Sequence, residues 1–206
     1  MQTQTVPTYA GVYNRYIKRI LGICIAGFAL VGLSPFYLVI AVLITLEDGL
    51  PVFYRAERGG YRGEVFRICK FRTMIRNADR VGGGTTSFHD PRITKVGNFL
   101  RKTKLDEIPQ FGQVLLGKMS LVGPRPELPK FVDEFKETVP LYMVKHQVRP
   151  GITGWAQVNG FRGDTSIKGR IEHDIYYIEH WTALFDLKIL LMTVLGGKFI
   201  NSEKIN

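Results

Sequence analysis

At 206 residues the chain is long enough for one domain with an appendage. Its 28 Lys and Arg against 18 Asp and Glu give a net charge of +10, while two cysteines and four histidines without metal-ligand spacing argue against a disulfide framework or a zinc centre. A mean hydropathy near zero with 22% charged residues requires apolar and charged residues to be segregated along the chain.

Residues 1–14 read as a flexible lead. Arg15, Lys18 and Arg19 then precede a charge-free run over residues 20–46. As one straight helix this run measures ~40 Å, enough for a ~30 Å hydrocarbon core. Ser34-Pro35 interrupts it. Proline cannot donate to the carbonyl four residues earlier, and a serine hydroxyl can serve the groups so freed. The two arms are ~21 Å and ~16 Å long, so neither spans alone. A kinked span and a re-entrant hairpin both fit. Basic residues on both flanks (Arg55, Arg58 and Arg62 follow the run) suit a hairpin that dips in and returns.

Glu47-Asp48-Gly49-Leu50-Pro51 reads as a turn. Residues 52–55 and 65–72 have strand composition, joined by the glycine-rich turn 59–63. Alternation in the second strand puts Lys70 and Arg72 on one face, either aimed at a phosphate or forming a solvated edge. Residues 82–86 form a glycine-rich loop, and residues 96–102 a short amphipathic helix. Then comes Lys104-Leu105-Asp106-Glu107-Ile108-Pro109-Gln110. Residues 51–104 carry 13 Lys or Arg against four acids, so the block of positive charge ends where two adjacent carboxylates begin. Cations that hold an anion, beside carboxylates able to attack it or share a divalent metal, suit phosphate chemistry. An acidic first helical turn gives the same two residues.

Residues 108–117 read as a helix with a glycine stop. Arg125 lies between two prolines that fix its backbone, which suits either a held guanidinium or a stiff connector. Residues 128–143 read as a helix with an apolar face. Residues 148–160 are glycine-rich with polar groups between, so backbone N–H groups there can approach a ligand. Residues 168–195 read as a final helical region, lying in a membrane interface or packed on the core.

Several of these stretches occur together in one family. Pro51-Val52-Phe53-Tyr54-Arg55, Lys70-Phe71-Arg72-Thr73-Met74, Asp90-Pro91-Arg92-Ile93-Thr94, Leu100-Arg101-Lys102, Leu105-Asp106-Glu107-Ile108-Pro109-Gln110, Gly123-Pro124-Arg125-Pro126 and Arg149-Pro150-Gly151-Ile152-Thr153-Gly154-Trp155 stand in the order seen there. The sequence resembles the bacterial sugar transferases that are monotopic phosphoglycosyl transferases, in their minimal catalytic form. The resemblance implies an α+β fold: a re-entrant helix-break-helix over residues 15–48, broken at Ser34 and Pro35, then a small mixed catalytic domain over 49–206 with interfacial amphipathic helices. It implies a place on the cytoplasmic face of the bacterial plasma membrane.

The same resemblance makes Asp106 the nucleophile and Glu107 its partner, with Mg²⁺ held by both. Lys70, Arg72, Arg92, Arg101, Arg125, Arg149 and Gln157 are the expected substrate contacts. The implied reaction moves a sugar-1-phosphate from a UDP-sugar to undecaprenyl phosphate, releasing UMP and initiating capsule, exopolysaccharide or O-antigen synthesis. A ternary-complex route with Asp106 as base or metal ligand is the alternative. Expected partners are the UDP-sugar, polyprenyl phosphate, membrane lipid and downstream glycosyltransferases, with a homo-oligomer compatible and no nucleic acid. A membrane-tethered nucleic-acid-binding module is the reading from another class, resting on the basic block alone. Phe161-Arg162-Gly163-Asp164-Thr165 resembles the version found in hexose-1-phosphate transferases. Gly22 stands where the family usually has an aspartate, so the resemblance supplies no ionic lock between the membrane helix and the basic domain.

Overall fold

A computed structural model describes residues 13–81, 90–162 and 165–196. Most of the expected lead and the whole 82–86 loop lie outside these residues. The first helices are α1 (Lys18–Gly32) and α2 (Ser34–Asp48), bent by 58° at the break. Pro35, in the first turn of α2, leaves the Val31 carbonyl without its helical donor, and the Ser34 hydroxyl donates to it instead at 2.7 Å. Only Gly22, Ala26, Ile40 and Ile44 of the pair are buried. Large apolar side chains such as Phe28 (83% exposed) and Leu46 (80%) project from the fold. No single helix among the described residues is long and apolar enough to cross a membrane; the bent pair passes that test jointly.

Two strands follow, β1 (Phe53–Gly59) and β2 (Val65–Phe71), paired antiparallel with Phe53 opposite Phe71 and Gly59 opposite Val65. Then come a short helix α3 (Ala78–Val81) and α4 (Lys95–Thr103). The expected helix over 108–117 splits. Leu105–Gln110 forms 3₁₀ turns with Pro109 inside, and α5 (Phe111–Leu115) continues to a left-handed Gly117. Strand β3 (Ser120–Val122) precedes α6 (Pro129–Thr138), which ends five residues before the expected limit. A 3₁₀ segment, Tyr142–Gln147, replaces the rest of that helix.

Strand β4 (Gly151–Thr153) pairs in parallel with β3, and α7 (Trp155–Val158) follows. The final helical region is two helices, α8 (Ile167–Glu179) and α9 (Ala183–Leu195). Thr182 separates them, its hydroxyl capping α9 by accepting from Phe185 N at 3.1 Å. The result is the expected α+β architecture, helices around two small sheets. The main core joins Phe66 and Ile68 of β2 to Val114, Met119, Val122, Tyr177, Ile178 and Ile189. A second cluster seats α2 on the site wall through Ile40, Ile44, Phe71 and Leu100.

An ionic tie joins α1 to this core without an aspartate at position 22. Lys18 Nζ lies 3.0 Å from Asp186 Oδ2 on α9 and 4.2 Å from the centroid of the Trp181 ring. Tyr13 and Tyr177 donate their hydroxyls to the same carboxylate at 2.8 and 2.6 Å. Arg19 donates to the Val114 and Leu115 carbonyls at the end of α5, and Gly22 packs beside Val114. Only 10% of the Lys18 side chain and 6% of the Asp186 side chain are exposed, so removing one leaves the other uncompensated. Asp186→Ala is expected to cost roughly 3–5 kcal/mol, read as a lower thermal midpoint of the detergent-solubilised protein. An unchanged midpoint would contradict this role.

Candidate active site

Asp106 and Glu107 occupy the first turn of the 3₁₀ segment, entered through Lys104 in the left-handed conformation (φ 58°). The acidic-first-turn reading and the carboxylate-pair reading therefore describe the same residues. They face a cavity of about 960 Å³. Lys70 and Arg125 converge on one oxygen, Glu107 Oε1, at 2.5 and 3.1 Å. Burial acts to raise the Glu107 carboxyl, but the Arg125 guanidinium and Lys70 ammonium overcome it and hold the group far below the usual carboxylate range. Glu107 in turn pushes the Arg125 pKa up.

Asp106 is different. Its carboxylate accepts no hydrogen bond from the described residues. Burial raises its pKa, the Glu107 charge adds to that, and Lys70, Arg101 and Arg125 oppose it. Two neighbouring carboxylates thus have opposite environments, one clamped and ionised, the other without a hydrogen-bond donor among the described residues and with its pKa raised.

Local structure explains the placement. Arg125 sits where β3 and β4 come together: Gly123 N donates to Thr153 O and Gly151 N to Pro124 O, both at 2.9 Å. A Cβ on Gly123, Gly151 or Gly154 would strike neighbouring backbone, so the three glycines allow this close approach. Arg101 projects from α4 and donates from Nε to Thr73 Oγ1 at 2.8 Å. Arg92 is locked by Asp90, with Nη2 2.6 Å from Oδ2.

Of the expected contacts, Lys70, Arg72, Arg92, Arg101, Arg125 and Gln157 all line the cavity. Lys70 and Arg72 do not work as a matched pair. The strand ends at Phe71, and Arg72 turns to the end of α2, donating to the Asp48 and Gly49 carbonyls with the Asp48 carboxylate 3.3 Å away. Gln157 donates to Ile152 O at 3.2 Å, while its Oε1 is buried without a partner among the described residues. Arg149 is not brought to the cavity. Its Nε donates to Gly117 O at 2.9 Å and its guanidinium lies 5.7 Å from the centroid of the Tyr61 ring.

Sequence reasoning passed over several residues. Arg58, Lys104 and Arg162 also line the cavity, and each belongs to a stretch singled out for other reasons. The turn Glu47-Asp48 clasps the site. Glu47 accepts from the first amides of α4, Lys95 N and Val96 N, at 2.7 and 3.0 Å, beside the Thr94 hydroxyl that accepts from Gly97 N. Asp48 accepts from Arg76 N at 3.0 Å. The end of α2 thereby fixes the helix that presents Arg101.

The model of the bacterial sugar transferase family matches residues 13–198. The chain belongs to this family. It is 44% identical over 205 residues to the UDP-glucose:undecaprenyl-phosphate glucose-1-phosphate transferase of Escherichia coli (strain K12), covering 95% of this chain and 44% of that protein. It is 44% identical over 190 residues to the UDP-N-acetylgalactosamine-undecaprenyl-phosphate N-acetylgalactosaminephosphotransferase of Aeromonas hydrophila, covering 91% of this chain and 44% of that one. The chain therefore spans less than half the length of these two relatives. The exopolysaccharide production protein ExoY of Sinorhizobium fredii (strain NBRC 101917 / NGR234) is 36% identical over 192 residues, with 86% of this chain and 83% of the relative covered.

Two predictions arise from this geometry. Glu47→Ala removes an acceptor for two α4 amides and is expected to cost about 0.5–2 kcal/mol, seen as a lower thermal midpoint; Glu47→Gln, which keeps an acceptor, is expected to lose less. The second concerns pH. Hydrogen bonds from Arg92 lower the Asp90 pKa to about 2, from an ordinary 3.8. A depressed carboxylate adds stability that is present above its unfolded pKa and lost as pH falls through the folded one. Asp90→Asn is therefore expected to flatten the stability curve between these two values, and an unaltered slope would contradict the lock.

Proposed function

We propose that this protein transfers a sugar-1-phosphate from a UDP-sugar to undecaprenyl phosphate, giving the lipid-diphospho-sugar and UMP, as the initiating step of surface-glycan synthesis. The observation that carries the reading is the asymmetric carboxylate pair: Glu107 clamped by Lys70 and Arg125, Asp106 unpaired beside it in a cationic cavity. The printed names of the relatives, each a sugar-phosphate transfer to undecaprenyl phosphate or exopolysaccharide production, support the substrate classes.

An Asp106 carboxylate oxygen attacks the β-phosphorus of the UDP-sugar. The new bond forms as the bond from that phosphorus to the bridging oxygen breaks, and its electron pair leaves on UMP. A phosphate oxygen of the lipid then attacks the same phosphorus and releases Asp106. Glu107, held ionised, fixes Lys70 and Arg125 against the substrate phosphates while it raises the proton affinity of Asp106. Arg101 supplies further positive charge beside Asp106.

Mg²⁺ fits the donors. Asp106 and Glu107 offer hard carboxylate oxygens, and Glu107 spends only Oε1 on its two cations. Two carboxylates with substrate phosphates and water are the usual Mg²⁺ set. Bound there, the ion would neutralise diphosphate charge.

Membrane geometry belongs to the same proposal. The bent pair α1–α2 dips into one leaflet and returns. Both of its ends are tied to the same folded unit, Lys18 and Arg19 to α9 and α5, Glu47 and Asp48 to α4 and the site wall. Helix α9 adds an outward apolar face, with Leu184 and Val194 each 79% exposed and Asp186 turned inward, which suits the interface. Tags before Tyr13 and after Gly196 are expected on the cytoplasmic side together; tags on opposite sides would mean a spanning helix.

UMP release from UDP-glucose, UDP-galactose and UDP-N-acetylgalactosamine, with undecaprenyl phosphate and Mg²⁺, tests the activity. Turnover with at least one donor is expected, abolished in Asp106→Asn and by EDTA. Release that persists in Asp106→Asn would remove Asp106 from the reaction, and none with any donor would overturn the activity.

A further inference from the structure

The cavity carries more positive charge than its carboxylates neutralise. Lys70 and Arg125 pair with Glu107, Arg72 with Asp48 and Arg92 with Asp90, while Arg101 lies in the field of Asp106. Arg58, Lys104 and Arg162 line the same cavity and make no ion pair with a carboxylate among the described residues. All three are half-buried. Arg58 donates from Nη1 to the neighbouring Glu57 carbonyl at 3.1 Å, and Arg162 from Nε to Gln157 O at 2.9 Å. These bonds aim the guanidinium groups without neutralising them.

The three are close enough to Arg125 and Glu107 to feel both charges. Burial lowers the pKa of each; Arg125 lowers that of Arg58 and Arg162 further, and Arg162 then Arg125 that of Lys104, while Glu107 opposes the fall at all three and Glu127 at Arg58. Glu107, the one carboxylate felt by all three, already has Lys70 and Arg125 on it, so these half-buried like charges stay under-compensated until an anion joins them.

We propose that Arg58, Lys104 and Arg162 form a phosphate subsite of their own, which holds the nucleotide-borne phosphate that departs as UMP. The assignment rests on the transfer reaction proposed above. Arg72 and Arg76 line the same cavity but are tied to Asp48 at the end of the apolar helix pair, which the membrane geometry proposed above turns toward a lipid-borne phosphate. The three cations come instead from β1, from the residue before the 3₁₀ segment and from the chain after α7. During attack by Asp106 the leaving oxygen takes up negative charge, and cations placed there stabilise the departing phosphate.

The test uses the full-length detergent-solubilised protein and the variants Arg58→Gln, Lys104→Gln and Arg162→Gln. UMP affinity is measured by calorimetry, beside separate KM values for the UDP-sugar and undecaprenyl phosphate. Each variant is expected to bind UMP about tenfold more weakly, since a charge-assisted contact is lost, and to leave the KM for undecaprenyl phosphate unchanged. Lys136→Gln, on the exposed face of α6, is the control and is expected to alter neither. Thermal midpoints establish folding, and Arg58→Lys and Arg162→Lys, which keep the charge, should restore most of the affinity to any position that tolerates glutamine poorly.

Unchanged UMP affinity in the folded variants overturns the subsite while the transfer reaction stands on wild-type turnover. A raised KM for undecaprenyl phosphate with UMP binding intact overturns the nucleotide assignment and gives the cations to the lipid phosphate. Wild-type protein that neither binds UMP nor releases it from any UDP-sugar overturns the transfer reaction, and the subsite with it.

Discussion

The site depends on the charge of Glu107. One carboxylate oxygen receives Lys70 from a β-strand and Arg125 from a proline-flanked turn, drawing β2, the 3₁₀ segment and the β3–β4 junction onto one point. Burying that charge is costly, and only two close cations make the ionised form the stable one. With Glu107 fixed, Asp106 sits beside a permanent negative charge in a half-buried place, which raises its proton affinity while the surrounding cations limit the rise. A pair so divided has one carboxylate fixed by cations and one without a hydrogen-bond donor among the described residues.

The apolar hairpin is part of this arrangement rather than a tether. Its first end is locked by Lys18 against Asp186, Trp181 and Tyr177, and its second end caps α4 through Glu47 and grips Arg72 and Arg76 through Asp48. The catalytic-site residues therefore meet the apolar helix pair through hydrogen bonds and ion pairs. The same end of α2 that grips Arg72 and Arg76 also holds the helix bearing Arg101.

Local chemistry was legible in the sequence where it acts over a few residues. Ser34-Pro35 marks a break whose hydrogen bond lies within three residues, Gly59 to Gly63 marks a hairpin, and the step from basic block to Asp106-Glu107 marks the site. What depends on distant partners was not legible. Arg72 follows the alternation of its strand on paper, yet the strand stops one residue earlier and the end of α2 claims the guanidinium. Arg149 carries a motif, but its side chain is turned to Gly117. Glu47 reads as a turn residue because the amides it caps return 48 positions later. The missing aspartate at Gly22 concealed a tie made instead by Lys18 to a carboxylate 168 positions later. That Arg58, Lys104 and Arg162 share a cavity with no ion pair among the described residues is visible only once the cavity is assembled, because charge balance is a property of space and not of sequence.

The most direct test of Asp106 as nucleophile is the mass of the protein after incubation with its UDP-sugar and Mg²⁺ in the absence of lipid acceptor. The account predicts an added sugar phosphate, located on the peptide containing Asp106, absent from Asp106→Asn, and discharged when undecaprenyl phosphate is supplied. Turnover that requires both substrates together, with no adduct at any time, would contradict it and assign Asp106 to a ternary complex.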